Sequence, residues 1–156
     1  MKMAASTVID CSARELWPWL DDLEHRKQWM KGLCEVRSTS RGPRRKGSTS
    51  VCVIEEGRTK VELNETVLEY EPERRVKLRM EGASPQSRRM AIEVEFELTE
   101  RGRRTQLDLE IAYGESGWIA GWLGPLIRFL ARIQMRVFLK KLKDLAEGKG
   151  GVTAST

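Results

Sequence analysis

Between Leu33 and Tyr113 apolar and polar residues alternate with a period of two, and on both sides of that stretch the period lengthens to that of a helix. The alternation is clearest where Ile92, Val94, Phe96 and Leu98 interleave with Glu93, Glu95 and Glu97. It recurs in Leu107, Leu109, Ile111 and Tyr113 against Gln106, Asp108 and Glu110, and in Val76, Leu78 and Met80 against Arg75, Lys77 and Arg79. Successive side chains of a strand point to opposite faces, so the pattern predicts a sheet with one buried and one wet face. Strands are predicted over 33–40, 48–56, 59–70, 75–81, 88–99 and 105–113, with a first one over 2–10 that carries β-branched Thr7, Val8 and Ile9. The breaks hold Gly42 and Pro43, Gly57, Pro72, Gly82 and Pro85, and Gly102, and turns this short join antiparallel neighbours. Within 59–70 the alternation slips: Val61 and Leu63 share one parity, Leu68 and Tyr70 the other, which predicts a β-bulge. On the wet face Arg75, Lys77 and Arg79 are expected to meet Glu93, Glu95 and Glu97, a pairing that sets register rather than an acid–base site.

Two short helices follow the first strand. Ser12 with Glu15 fits a capping box, and Leu16, Trp17, Leu20 and Leu23 recur at helical spacing, which predicts a helix over 13–22 with that face inward. A second is predicted over 25–30, ending near Gly32, a residue able to take the left-handed cap conformation. A long C-terminal helix is expected from Pro125, a residue favoured at the first helical position, to Glu147. At 1.5 Å per residue it would run roughly 34 Å, enough to cross the sheet. Leu126, Ile127, Leu130, Ile133, Gln134, Val137, Phe138, Leu142 and Leu145 form the arc expected to face the sheet; Arg128, Arg132, Arg136 and Lys143 lie opposite.

Length makes this one domain, over 1–148, followed by a small polar tail, 149–156, that is expected to be disordered. No apolar run approaches the roughly 20 residues of a membrane span, and the first nine residues are too short and polar for a signal peptide. A cytoplasmic location is therefore expected. Three widely spaced cysteines, Cys11, Cys34 and Cys52, with one histidine, read as buried, reduced thiols rather than a metal site, and no metal or cofactor is expected. The net charge of +5 permits an acidic partner, but the basic loops lack interleaved aromatics for base stacking, so nucleic acid is not expected.

Several local patterns point to a known family. They are Ser12-Ala13-Arg14-Glu15-Leu16-Trp17 leading into Asp21-Asp22-Leu23; Gln28-Trp29-Met30; Gly42-Pro43 with Gly47; Val67 to Pro72 before Arg74-Arg75; and Gly117, Gly121, Gly124 and Pro125 ahead of the last helix with Leu142-Lys143. Over residues 3–147 the chain resembles the SRPBCC superfamily, in particular its bacterial polyketide cyclase/dehydrase branch, related to START lipid-transfer domains and the birch pollen allergens. The resemblance implies an α+β helix-grip fold, in which a curved antiparallel sheet of about seven strands wraps a long C-terminal helix around a deep, mostly apolar cavity. It implies fold more narrowly than activity, since the superfamily includes transporters, cyclases, hydrolases and subunits of larger complexes.

Alternating hairpins put turns 41–47, 71–75 and 100–104 at one end of the sheet and 31–33, 56–58, 82–87 and 114–118 at the other. The first end is basic, with Arg41, Arg44, Arg45, Lys46, Arg74 and Arg101 among its residues. The second is the usual cavity mouth in the family, and here it carries Trp118-Ile119-Ala120-Gly121-Trp122. Trp29, Met30, Trp118 and Trp122 are accordingly expected near the lip, where the last two suit either an apolar gate or ordinary packing. Leu78, Met80, Phe96, Ile111, Tyr113, Leu126 and Leu130 are expected along the wall, with Gln134 as the polar residue of the sheet-facing arc. Glu65, Tyr70 and Tyr113 are the weak candidates for proton transfer; His25 reads as a surface residue, and Gly42 to Ser48 imitates a phosphate-binding loop only loosely. Arg128, Arg132 and Arg136 repeat at i, i+4 without an intervening acid, which suits an anionic membrane, an acidic protein or simple solubility. Three functions remain open: a carrier or sensor of an apolar molecule (lipid, isoprenoid, polyketide-like or aromatic), an aromatase/cyclase or dehydratase, and a partner-binding subunit.

Overall fold

Asp22 breaks the helical segment that follows the first strand into two. Its backbone is extended, its amide donates to the Pro18 carbonyl, and its carboxylate accepts the Glu24 amide at 2.9 Å. One residue thus closes α1 (Ala13–Asp21) and opens α2 (Leu23–Trp29). Ser12 caps α1 as expected, accepting the Glu15 amide at 3.1 Å. The remaining elements are β1 (Lys2–Ile9), β2 (Leu33–Ser38), β3 (Thr49–Glu56), β4 (Thr59–Glu71), β5 (Arg75–Gly82), β6 (Ala91–Arg101), β7 (Arg104–Tyr113) and α3 (Gly124–Ala146). This computed structural model describes residues 2–83, 91–113 and 124–148, with side chains for all of these except 56, 59 and 124–131.

The seven strands form one antiparallel sheet in the order β1-β7-β6-β5-β4-β3-β2. The slip in β4 is a bulge: Val67 pairs with Leu78 and Glu69 with Lys77, leaving Leu68 unpaired. Val61, Leu63, Glu65 and Val67 therefore share the inner face, and Tyr70 rejoins it after the bulge. A second irregularity leaves Cys34 out of the β2–β3 register, so that Leu33 and Val36 are both buried despite opposite parity and Cys34, expected to be buried, is exposed. At the turn into β2, Gly32 sits at φ +91°, and a side chain there would place its Cβ 3.0 Å from the Glu55 carbonyl.

The outer face carries the expected charge pairing, displaced by one diagonal step. Arg75 lies opposite Glu97 and Lys77 opposite Glu95. The ion pairs run instead from Arg75 to Glu95 at 2.6 Å and from Lys77 to Glu93 at 3.6 Å, and Arg75 also reaches Glu69 at 2.6 Å. Because Arg75 joins two acids from two strands, Arg75→Ala should cost about 0.5–1 kcal/mol and Lys77→Ala less. Urea unfolding should show that difference shrinking as salt is raised.

On the inner face α3 packs against β1, α1 and α2. Its buried arc is Met135, Leu139 and Leu142, with Phe138, Leu145 and Ala146 at the sides. The arc expected from sequence is therefore rotated: Ile133 and Val137 are 45% and 50% exposed, and Gln134 is exposed. The helix holds enough apolar residues to draw more than one arc, and the surfaces it docks on choose among them. Phe138, Leu142 and Leu145 stay in the arc; Leu126, Ile127, Leu130 and Arg128 lie outside the described side chains.

Candidate functional site

The register arranges the inner face in rows across the sheet. One row runs Ser50, Glu65, Met80, Ile92, Tyr113; the next runs Val67, Leu78, Val94, Ile111, Met3; a third runs Tyr70, Val76, Phe96, Leu109, Ala5. Burial falls toward one end of β3, β4, β6 and β7. Toward the turns at 72–74 and 102–103, Val76, Phe96, Leu107 and Leu109 are sealed under the helices. Toward the opposite end, Ile54, Val61, Ile92, Ile111 and Tyr113 remain half-buried although they project from the same face, and Met30 joins them from the end of α2. A large apolar side chain gains free energy when water is removed from it, so a cluster left half-covered is available to a ligand.

Trp29, expected near the lip, is instead part of the core at 3% exposure. Its ring meets Phe96 on the sheet and Phe138 on α3 edge to face, with centroids 6.1 and 6.4 Å away, and its Nε1–H donates to the Trp19 carbonyl at 2.8 Å. It therefore forms a wedge between the sheet and α3. Leu78, Met80 and Phe96 are buried, and Ile111 and Tyr113 belong to the half-covered end. Gln134 projects away from the sheet and has no place in the wall, because the docked arc is centred on Met135 and Leu139. Trp118 and Trp122, and the side chains of Leu126 and Leu130, lie outside the described residues.

The main polar feature of the inner face is a closed ionic cluster around Glu65. The Glu65 carboxylate accepts two parallel bonds from Arg26, at 2.9 and 2.8 Å, one from Arg44 Nη2 at 3.2 Å and one from the Cys52 thiol at 3.6 Å. The Arg26 and Glu65 side chains are 3% and 1% exposed. Arg44 continues the cluster to α1: Nη1 donates to the Asp21 carbonyl at 3.2 Å and Nε lies 3.4 Å from the Asp21 carboxylate. Asp21 in turn accepts the Tyr70 hydroxyl at 2.9 Å. Five segments, α1, α2, the β2–β3 loop, β3 and β4, are thereby joined.

Electrostatics follow from this arrangement. Burial alone would raise the Glu65 carboxyl, but the guanidinium groups of Arg26 and Arg44 prevail and hold it below its ordinary value, as an anion. Burial and the Glu65 charge push the Cys52 thiol up to about 12, so it is an unreactive donor at neutral pH. Tyr70 is raised by burial and by Asp21, and Tyr113 by burial, so both keep their phenolic protons. Glu65 and Tyr70, paired from sequence as proton-transfer candidates, do share one cluster, but with Asp21 and Arg44 between them.

Arg26 is not among the residues singled out from the sequence, and Arg44, grouped there with the basic end, turns inward to Glu65. Two signals were present. Glu65 sits between Leu63 and Val67 on the inward parity of β4, and a buried carboxylate demands a cation. Arg26 falls one helical turn from Leu23 and from Met30, on the inward side of α2. His25 remains at the surface, its Nδ1 3.1 Å from Asp22. Among the described residues no group of three or more His, Cys, Asp or Glu is placed to hold a metal ion, and no helix is long and apolar enough to cross a membrane.

Comparison with known proteins places this geometry. The chain shares its architecture with TTHA0849 from Thermus thermophilus, with a TM-score of 0.74 at 20% identity over 100% of both chains. It is similar to Ara h 8.0201, with a TM-score of 0.72 at 8% identity over 94% of this chain and 97% of that one. It is also similar to Aha1 from Colwellia psychrerythraea, solved as a dimer, with a TM-score of 0.65 at 17% identity over 96% and 98%. No curated protein matches the chain. At these identities the likeness shows the helix-grip fold alone. Residues 1–147 match the family described as polyketide cyclase / dehydrase and lipid transport, and with nearly the whole chain covered the protein belongs to that family.

Proposed function

We propose that the protein binds a small apolar molecule between the inner sheet face and α3, as a carrier or sensor rather than as an enzyme. The observation that carries this reading is the fall in burial along the inner face, from a sealed core at Val76, Leu107 and Leu109 to half-covered Ile54, Val61, Ile92, Ile111 and Tyr113. Each 100 Å² of apolar ligand surface covered there would contribute about 2.5 kcal/mol before ordering costs. The ligand would approach from the end that holds the 57–58 turn, with Tyr113 the polar group best positioned to orient it. The ionic cluster supports binding over proton transfer. Glu65 is committed to two arginines and Tyr70 to Asp21, which leaves neither as a free base or acid.

The test is native mass spectrometry of protein purified from cells, paired with titration by the apolar fluorophore N-phenyl-1-naphthylamine. A co-purified small molecule that the fluorophore displaces is expected. Ile111→Trp, which fills the half-covered end, should weaken fluorophore binding about tenfold or more, or about 1.4 kcal/mol, with the fold intact by circular dichroism. No bound mass together with no fluorophore binding, or an Ile111→Trp variant that binds as wild type does, would overturn the proposal.

A further inference from the structure

β1 is the terminal strand of the sheet, hydrogen-bonded to β7 alone, so alternate residues along Lys2–Ile9 turn their N–H and C=O groups away from the sheet. That edge does not face open solvent. It forms one wall of a groove of about 620 Å³ whose other wall is α3. Residues 2–7 line the groove without a gap, both parities included, which means that the strand edge itself is presented. The apolar contributions come from Met3, Ala5, Met135 and Leu139. The helix wall carries Arg132, Arg136, Lys140 and Lys143, and among the described residues no acid lines the groove. Of its cations Lys2 is tied to Glu110 at 2.9 Å, whereas Arg132, Arg136, Lys140 and Lys143 make no ion pair among the described residues. Spacings of four, four and three keep these cations on one stripe, where like charges disfavour the helix in the absence of a counter-charge.

We propose that this groove docks an acidic protein segment in extended conformation, which adds a strand beside β1 and sets its carboxylates against the cations of α3. The two walls match in length: six strand residues span roughly 20 Å, and positions 132–143 of a helix span roughly 17 Å. Main-chain bonds to β1 supply the generic part of recognition and the cationic stripe selects for acid. A membrane surface fits less well. A bilayer meets a flat or convex cationic face, whereas here the cations stand across a trough from a row of backbone donors and acceptors.

Fluorescence anisotropy with a labelled peptide of alternating Glu and Val tests the proposal. Binding is expected at low salt. The variant carrying Arg132→Ala, Arg136→Ala and Lys140→Ala should bind about tenfold or more weakly. Two peptides of the same charge, N-methylated at the Glu or at the Val positions, each lack the donors of one parity, and the one that lacks the donors facing β1 should lose about tenfold. Hydrogen exchange should slow at alternate amides of residues 2–9 when the Glu–Val peptide is bound. Binding of both methylated peptides as tight as that of the parent, or unchanged exchange in β1, would overturn strand addition. Binding to phosphatidylglycerol vesicles without binding to the peptide would assign the face to a membrane instead, and binding to neither would end the proposal. The groove meets the half-covered end at Met3, which pairs with Ile111, but the triple variant alters only exposed cations of α3, so it should lose peptide binding and keep fluorophore binding.

Discussion

Glu65→Ala should destabilise the protein by about 3–5 kcal/mol, the cost of leaving a buried charge without its partner. The variant strands Arg26, whose side chain is 3% exposed and whose two terminal nitrogens both donate to Glu65. Arg26→Ala should cost less, since Glu65 keeps Arg44 at 3.2 Å and the Cys52 thiol. Pairing Arg26→Met with Glu65→Leu should recover most of the loss, because two apolar side chains of similar size carry no desolvation penalty and Arg44 still has Asp21. The same cluster gives the stability a pH dependence. Glu65 is held below its ordinary 4.5 in the fold, so it releases its proton more readily there than in the unfolded chain. Its contribution is complete above that ordinary value and is lost as pH falls through the lower folded one. Urea unfolding between neutral and strongly acid pH should show this loss in the wild type and a flatter profile in Glu65→Gln. A Glu65→Ala variant within about 1 kcal/mol of wild type would mean that the cluster is not the strut its geometry implies.

Trp29→Ala should cost about 3–5 kcal/mol and should also change what the protein binds. The indole fills the space between Phe96 and Phe138 and satisfies the Trp19 carbonyl, so its removal opens a void and leaves an acceptor without its donor. Trp29→Phe should cost less, since the ring contacts persist and only the 2.8 Å bond is lost. Because Trp29 packs on Phe96 and is followed by Met30 of the half-covered end, its truncation is expected to open space toward that end. Longer apolar fluorophores should then gain affinity relative to N-phenyl-1-naphthylamine in the Ala variant but not in the Phe variant. Equal preferences in wild type and Trp29→Ala would argue that the wedge has no part in ligand selection.

The hairpin sequence from β2 to β7, the bulge at Leu68 and the cap at Ser12 were legible along the chain because each is written in neighbouring residues, whereas the pairing of β1 with β7 was not. The charge rows of β5 and β6 were legible for the same reason, and only the diagonal step of their pairing was not, since side-chain reach decides it. The candidate site was legible in part. Parity identified Leu78, Met80, Phe96, Ile111 and Tyr113 as inward, but not which of them the helices would seal.

Local periodicity therefore determined the elements, the bulge and the inward parity of each strand, because backbone geometry converts a pattern of two or of 3.6 directly into faces. Tertiary packing decided the rest. It rotated α3 so that Met135 and Leu139, rather than Ile133 and Gln134, meet the core. It drew Trp29 from the expected lip into the middle of the molecule. It also brought Asp21, Arg26, Arg44 and Glu65 from separate segments into one ionic cluster. A charge carries no period; its partner is found only when the fold has removed water from both.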